Sequence, residues 1–395
     1  MEQTQLLLNP EAQSYRDYGP AQAAVLNAPA FAMARAEICS WPGYAPTPLI
    51  ALPALAAERG VTALTCKHEG ARFGIGSFKP TGPTYAMLAV LKGEVRRATG
   101  VAQVSTEDLV TRRYAEIIRD IVVAAPTSGN HGRALAWGAR TFGCRAVLYM
   151  NDSVSAGREA AIRGYGGEVV RVPGAYAQAV QQMLEDDAVH GYFIVADQGT
   201  PAYPQVQQDI MQGYALVADE LVDQSAPALP THLFVPGGGG ILAAACCAHL
   251  WERLGRDRPR VIVVEPTASC CLYASARAGR AVQVAAATSV MDGLVVERPA
   301  AEAWPLLSAG AFAFLTVPDQ AAVEAMCLAA DPHGDDPALV IGDTGSAGWA
   351  GFLAVSSDPA LRRSLGLSAA SRVAVVVTEE ATDAAVYQRI VGRAP

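Results

Sequence analysis

Twice along this chain a short aliphatic run stops at a glycine-rich turn and restarts as an alanine-rich stretch. "IVVAA" at 121–125 gives way to "PTSGNHG" and then "RALAWGARTFG", and "THLFV" at 231–235 gives way to "PGGGG" and then "ILAAACCAHL". A third run, "RVAVVV" at 372–377, ends in the acidic turn "TEEATD". Strand, turn and helix in that order make the βαβ unit, and its repetition dictates a parallel sheet with helices on its faces. Further runs at 146–150, 168–172 and 261–266 extend two such series, so the chain reads as two α/β lobes with a cleft between them. Helices are expected over 130–142, with Asn130 as N-cap and Gly143 as the stop, and near 155–164 and 241–254. Residues 1–45 are irregular and dotted with proline, an arm for packing on the body or on a partner subunit. In open parallel sheets the carboxyl ends of the strands line the ligand crevice, which gathers the turns to one edge.

What the crevice holds is narrowed by composition. Hydrophobic residues make up 51% of the 395 and charged residues 17%, so a large core is expected rather than disorder. The net charge of −8 argues against nucleic acid or an anionic membrane as partner. No apolar run reaches membrane-spanning length, and the start, "MEQTQLLLNPEAQ", lacks the basic segment of a signal peptide, so a cytoplasmic protein is expected. The eight cysteines show no CxxC spacing and the six histidines no HxxxH spacing, so no metal site is expected and the thiols read as buried and free.

Among 30 basic residues only three are lysines: Lys67, Lys79 and Lys92. Lys67 and Lys92 lie in charged surroundings, "CKHE" and "LKGEVRR", whereas Lys79 sits in the glycine-punctuated apolar stretch "ARFGIGSFKPTGPTYA". An amine, unlike a guanidinium, sheds its proton readily and attacks carbonyls, so Lys79 is the candidate nucleophile.

The turns supply matching chemistry. Four glycines, Gly237 to Gly240, precede a helix, where bare backbone N–H groups and the helix dipole favour a phosphate. Gly238, Gly240 and Ala243 also satisfy G-x-G-x-x-A with Glu265 ending the next strand, which keeps an NAD-dependent oxidoreductase among the alternatives. The turn "PTSGNHG" suits a carboxylate, and Asn130 is able to hydrogen-bond a phenolic oxygen. His131 reads as a structural loop residue because no acid adjoins it. "IGDTGSAG" at 341–348 is either a cofactor lining or a close-packing turn. Thr378, closing a strand, either caps it or meets a ring nitrogen, and Asp197, closing "FIVAD", is either a cleft acid or a turn residue.

A nucleophilic lysine, a phosphate cradle and a carboxylate turn are the parts of a pyridoxal-phosphate enzyme. The chain resembles the fold-type II enzymes of that class, and among them the diaminopropionate ammonia-lyases. The matching stretches are "YAPTPLIALPALA" (44–56), "KHEGARFGIGSFK" (67–79), "TSGNHGRALAWGAR" (127–140), "DIMQGYALVADE" (209–220), "VVEPTASCCLYAS" (263–275), "DPHGDDP" (331–337), "GDTGSAG" (342–348) and "VVVTEEATD" (375–383).

The resemblance implies two open, twisted, mostly parallel sheets in a large and a small domain with the active site between them. It implies a large pyridoxal 5'-phosphate-binding domain over 46–85 and 200–395, a small domain over 86–199, and a homodimer. Lys79 becomes the Schiff-base lysine and Phe78 its ring-side neighbour. Asn130 meets the phenolic oxygen, Gly237, Gly238, Gly239 and Gly240 the phosphate, and Thr378 the ring nitrogen. Asp197 and Ser128 fall at catalytic positions, and Ser77, Thr127, Ser128, Gly129 and His131 fall where substrate binds. Two places depart from the family. Ser128 replaces the aspartate of "TDGNHG", and "DQGT", beginning at Asp197, replaces D-T-A-W, so the cofactor half is intact and the substrate half is altered.

The activity implied is α,β-elimination on 2,3-diaminopropionate or a similar small β-substituted amino acid, giving pyruvate and ammonia, and Ser128 in place of the family's aspartate adds an expected L-preference. Lys79 would take the Cα proton. The alternatives are a β-replacement synthase or a serine/threonine dehydratase-like enzyme of a biosynthetic pathway, the NAD-dependent oxidoreductase, and a non-catalytic ligand sensor.

Overall fold

A computed structural model of the chain describes residues 3–13, 16–197, 204–285, 287–331 and 333–395. The chain divides into two compact units. One comprises Met1–Pro29, Pro46–Phe78 and Ala215–Pro395, and the other comprises Ala30–Ala45 and Lys79–Tyr214. This division differs from the expected one: residues 30–45 belong to the smaller unit rather than to an arm, and so do the segments from Lys79 to residue 85 and from residue 200 to Tyr214. The helix Pro204–Ser225 runs across the boundary.

The strands in chain order are β1 (Gln5–Leu8), β2 (Leu49–Ala51), β3 (Ala63–His68), β4 (Val122–Pro126), β5 (Arg145–Asn151), β6 (Glu168–Val172), β7 (Phe193–Ile194), β8 (His232–Pro236), β9 (Arg260–Pro266), β10 (Ala313–Val317) and β11 (Arg372–Val377). The larger unit holds a seven-stranded sheet in the order β1-β10-β9-β8-β11-β3-β2. Its inner pairs are parallel, and the two edge strands, β1 and β2, run antiparallel to their neighbours. The smaller unit holds a wholly parallel sheet in the order β6-β5-β4-β7. Strands β8, β9 and β11 are buried almost throughout, which is why they read as unbroken aliphatic runs rather than as alternation, and β10 is buried as fully.

Local chemistry explains where the reading of residues 1–45 needs correcting. That segment is not irregular: Gln5–Leu8 pairs with β10 and Ala28–Cys39 is helical. Strand β3 was not anticipated because "ALTCKH" mixes polar and apolar residues. Gly129, with φ +149°, precedes the helix Asn130–Phe142, so Asn130 is its first residue and not its cap. Gly143 ends that helix in the left-handed conformation, as the sequence indicates.

The polar part of β3 has a purpose. The Lys67 Nζ lies 2.6 Å from Glu220 Oε2 and donates to the Thr47 carbonyl at 2.8 Å and to Gln224 Oε1 at 2.9 Å. Arg72 grips Glu69 with Nε and Nη2, both at 2.9 Å, and Glu220 with Nη1 at 2.6 Å and Nη2 at 2.9 Å. Lys67, Glu69, Arg72 and Glu220 are all buried. Burial alone would weaken the hold of the Arg72 guanidinium on its proton, but Glu69 and Glu220 reverse that and push its pKa upward. Two cations and two carboxylates thus close a neutral cluster inside the larger unit, on the segment that leads to Lys79.

Removing one member leaves a buried charge uncompensated, which costs about 3–5 kcal/mol. Arg72→Met is therefore expected to lower the urea unfolding midpoint strongly, and a midpoint equal to that of the unmutated chain would contradict this account of the cluster.

Candidate active site

Lys79 opens a short 3-10 turn, Lys79–Thr81, that feeds the helix Pro83–Thr99 of the smaller unit. The turn is held by very close packing. A Cβ at Gly213 would lie 1.8 Å from the Thr81 carbonyl oxygen, so only glycine fits there. Next to it, Tyr214 places its ring centroid 5.5 Å from the Lys79 Nζ. The motif "QGY" is thereby explained as the bed of the lysine turn.

The Lys79 Nζ lies 2.7 Å from Asp197 Oδ2. Register brings Asp197 there: Ala124 of β4 pairs with Ile194 of β7, so the segments beyond both strands leave the sheet side by side. Gln207 Nε2 donates to the Asp197 carbonyl at 2.5 Å and fixes its backbone. The other carboxylate oxygen, Oδ1, lies 3.1 Å from His131 Nδ1, while His131 Nε2 lies 2.6 Å from the Val195 carbonyl. Burial would raise the Asp197 pKa, but Lys79 and His131 outweigh it and hold the carboxyl well below the usual range. The reading of His131 as a residue without an acid partner is corrected: the acid comes from a distant part of the sequence that pairing with β4 brings alongside.

The rest of the "PTSGNHG" turn surrounds this group. Thr127 Oγ1 accepts from the amides of Gly129 at 3.0 Å and Gly132 at 2.9 Å, so its hydroxyl shapes the turn. The Ser128 carbonyl accepts from Arg158 Nη1 at 3.2 Å. Asn130 Oδ1 accepts from Arg133 Nη2 at 2.9 Å. Gln198, Gly199 and Thr200, the altered segment after Asp197, lie outside the described residues. Gln207, Tyr214 and Arg158 were not among the sequence candidates. Gln207 and Arg158 carried no motif signal, and Tyr214 stood inside one.

The larger unit carries a second set. Val375 of β11 pairs with Phe234 of β8, so Thr378 and Gly237 follow their strands at the same level of the sheet edge. Gly238 and Gly240 have φ of +60° and +91°, and a Cβ at Gly238 or Gly239 would meet nothing closer than 3.4 Å. Among the described residues the amides of Gly238 and Gly239 make no hydrogen bond. The hydroxyl of Thr378 is buried and has no hydrogen-bond partner among them either. Its carbonyl accepts from the Phe78 amide at 3.0 Å, and Ser77 bridges Glu379, so both buried residues lie beside Thr378. The turn 341–348 packs on Glu379: the Thr344 amide donates to Glu379 Oε1 at 3.1 Å and the Gly342 amide to its carbonyl at 3.0 Å.

Glu265 does not play the part that the dinucleotide pattern gives it. Its buried carboxylate accepts from the amides of Leu272 at 2.9 Å and Tyr273 at 2.7 Å and so caps the helix Cys271–Ala278. Among the described residues no group of three or more His, Cys, Asp or Glu side chains is placed to hold a metal, and no helix is long and apolar enough to cross a membrane.

Comparison with known proteins agrees with these features. Residues 40–379 match the family described as pyridoxal-phosphate dependent enzyme. The chain is 32% identical over 355 residues to a diaminopropionate ammonia-lyase of Escherichia coli (strain K12), covering 88% of each chain. Its fold is similar to that of crystalline holo diaminopropionate ammonia lyase from Escherichia coli, with a TM-score of 0.89, 30% identity and coverage of 98% of this chain and 96% of that one. The same enzyme in complex with D-serine superimposes with a TM-score of 0.88 at 30% identity, over 98% and 97% of the two chains.

Burial pushes the Glu265 carboxyl from its ordinary 4.5 up to about 8, outweighing the two amide donors. The folded chain then keeps a proton that the unfolded chain releases. Its stability contribution is present below about 4.5, falls as pH rises, and is gone above about 8. Glu265→Gln is expected to lose less stability than the unmutated chain between these limits in urea titrations, and an equal loss would show that Glu265 is ionised in the fold.

Proposed function

Because the chain belongs to the pyridoxal-phosphate dependent enzymes, and within them to the diaminopropionate ammonia-lyase family, we propose that it eliminates the β-amino group of 2,3-diaminopropionate to give pyruvate and ammonia. The observation that carries this reading is the placement of the Lys79 amine, 2.7 Å from Asp197, on a turn that Gly213 packs tightly against.

The residues fit the cofactor. The unengaged amides of Gly238 and Gly239 at the start of the helix Ile241–Leu254 suit a phosphate. The partnerless Thr378 hydroxyl suits a ring nitrogen, with Phe78 beside it. Bound there by Lys79, pyridoxal phosphate would supply an electron sink for the carbon that loses a proton. The chain's own residues supply the rest. The freed Lys79 amine accepts the Cα proton, and Asp197 Oδ2 meets the ammonium charge that results. The turn Thr127–Asn130 receives the substrate carboxylate at the start of its helix, and Ser77 adds a hydroxyl on the cofactor side. In this reading the larger unit is the cofactor-binding domain and the smaller one the substrate domain. The enzyme is read as a homodimer, as the family resemblance implies, and as cytoplasmic, as the sequence leads one to expect. The altered segment at 198–200 favours one second reading, β-replacement by an added nucleophile.

The test is direct. Purified holoprotein should be yellow and release pyruvate from L-2,3-diaminopropionate, and Lys79→Ala should lose the colour and at least about 10²- to 10⁴-fold of the rate. Undiminished turnover by that variant would overturn the assignment. A product carrying an added nucleophile in place of pyruvate would select the second reading.

Stereochemistry follows from Ser128. The family's aspartate at this position serves the D-isomer as a base, and the related enzyme from Escherichia coli is known in complex with D-serine. A serine hydroxyl holds its proton too tightly for that work without an activating partner. The protein is expected to prefer L-diaminopropionate by about 10²- to 10⁴-fold in kcat/KM. Ser128→Asp should restore part of the D-activity, tempered by the Arg158 guanidinium 3.2 Å from the residue's carbonyl. Equal kcat/KM for both isomers in the unmutated protein would contradict this.

A further inference from the structure

Asp197 lies just past the end of a very short strand. β7 gives two residues to the ladder, and the Val195 amide beyond it still donates to the Ala124 carbonyl at 2.9 Å. Two residues further on, the Asp197 backbone has one hydrogen bond among the described residues: its carbonyl accepts from Gln207 Nε2 at 2.5 Å. A carbonyl oxygen has no proton to give, so it is the nitrogen of the Gln207 amide that faces it.

Gln207 stands on a firm support. It is buried on the helix Pro204–Ser225 together with Val206, Ile210, Met211 and Tyr214, the spacing of one packed helical face. Gln207 and Tyr214 are two turns apart on that face, about 10 Å along the axis. The second position is where the Lys79 turn rests. Gly213 packs against the Thr81 carbonyl, and the Tyr214 ring lies 5.5 Å from the Lys79 Nζ. One helix thus grips both partners of the ion pair in which Lys79 Nζ donates to Asp197 Oδ2 at 2.7 Å.

We propose that Gln207 is a positioning residue: it ties the continuation of β7 to the helix Pro204–Ser225 and so keeps the Asp197 carboxylate on the Lys79 amine. The inference rests on the reading of Lys79 as the amine that takes the Cα proton. In that step the N–H bond at Nζ forms as the Cα–H bond breaks and leaves its electron pair on carbon. The new positive charge then appears beside a carboxylate already in place. Preorganised groups spare the site a reorganisation, whereas a displacement of about 1 Å costs on the order of 10²-fold. The tether also sits where the chain departs from the family pattern, since the altered segment continues from residue 198.

A packing residue and a positioning residue differ in what their loss does. In the holoenzyme with L-2,3-diaminopropionate, Gln207→Leu should lose kcat on the order of 10²-fold with KM within about twofold. Gln207→Glu adds a readout that packing alone would not move. An ionised carboxylate cannot donate to the Asp197 carbonyl, but a protonated carboxyl can. The rate of Gln207→Glu relative to the unmutated protein should therefore rise as pH falls and this carboxyl takes up its proton. The same ratio for Gln207→Leu should stay flat. Lys79, Asp197, His131 and, on the same helix, Asp209, which burial pushes up to about 6, are common to all three proteins and cancel in the ratio. A third readout needs no cofactor. In the cofactor-free full chain, acetic anhydride should modify Lys79 faster, relative to Lys92, in Gln207→Leu than in the unmutated protein, because the amine has lost a fixed acceptor. An unchanged kcat in Gln207→Leu, a KM that rises while kcat holds, equal labelling of Lys79, or a Gln207→Glu ratio that does not depend on pH would overturn the proposal. If Gln207→Leu does not fold, the pH dependence of Gln207→Glu decides. Failure of the Lys79 reading would appear separately, as turnover retained by Lys79→Ala, and would leave the labelling result unchanged.

Discussion

The segment that ends in Lys79 owes its course to a buried cluster of opposite charges. Arg72 is held by two carboxylates at once, and Lys67 shares one of them. Ion pairs so deeply buried add little net stability, because desolvation consumes most of the attraction. Geometry is what such a cluster secures. It pulls Glu69–Gly74 into a 3-10 turn and carries Phe73 through a left-handed conformation, with φ +51°. Residues 76–78 are then laid against 378–380 by the Phe78 and Glu380 amides. Lys67 and Lys79 thus serve opposite ends. One is spent inside the cluster, and the other is delivered from it to a place where its amine meets Asp197.

The same economy of charge shapes the candidate site in the smaller unit. The Asp197 carboxylate is bracketed by an ammonium and an imidazole, its backbone is tied by Gln207, and the turn that bears Lys79 rests on Gly213 and Tyr214. Each contact restricts one freedom of the Lys79 side chain or of the carboxylate it meets. On the larger unit, by contrast, the features that suit the cofactor are those left unsatisfied: amides at Gly238 and Gly239 and a hydroxyl at Thr378 that make no hydrogen bond among the described residues.

Much of this was legible in the sequence, and what was not had physical reasons. Doubly buried strands such as "RVAVVV" and the helices between glycines announce themselves by composition, so β4, β5, β8, β9 and β11 lie where their runs place them. Strand β3 did not, because its polar residues answer to the buried cluster and not to the pleat. Edge strands β1 and β2 are too short to show a period. Lys79 stood out by the scarcity of lysine. The partnership of His131 with Asp197 could not be seen, since it depends on β7 pairing with β4 across a long intervening stretch. Glu265 misled for the same reason: its strand-end position fits a dinucleotide pattern, but only the fold shows its carboxylate occupied as a helix cap.

The claim on which the rest depends is that one lysine of three carries the cofactor. Reduction of the holoprotein with borohydride, proteolysis and mass spectrometry of the peptides would locate the pyridoxyl group. It is expected on the peptide containing Lys79, with Lys67 and Lys92 unmodified. A pyridoxyl group on Lys67 or Lys92, or on no lysine at all, would contradict it.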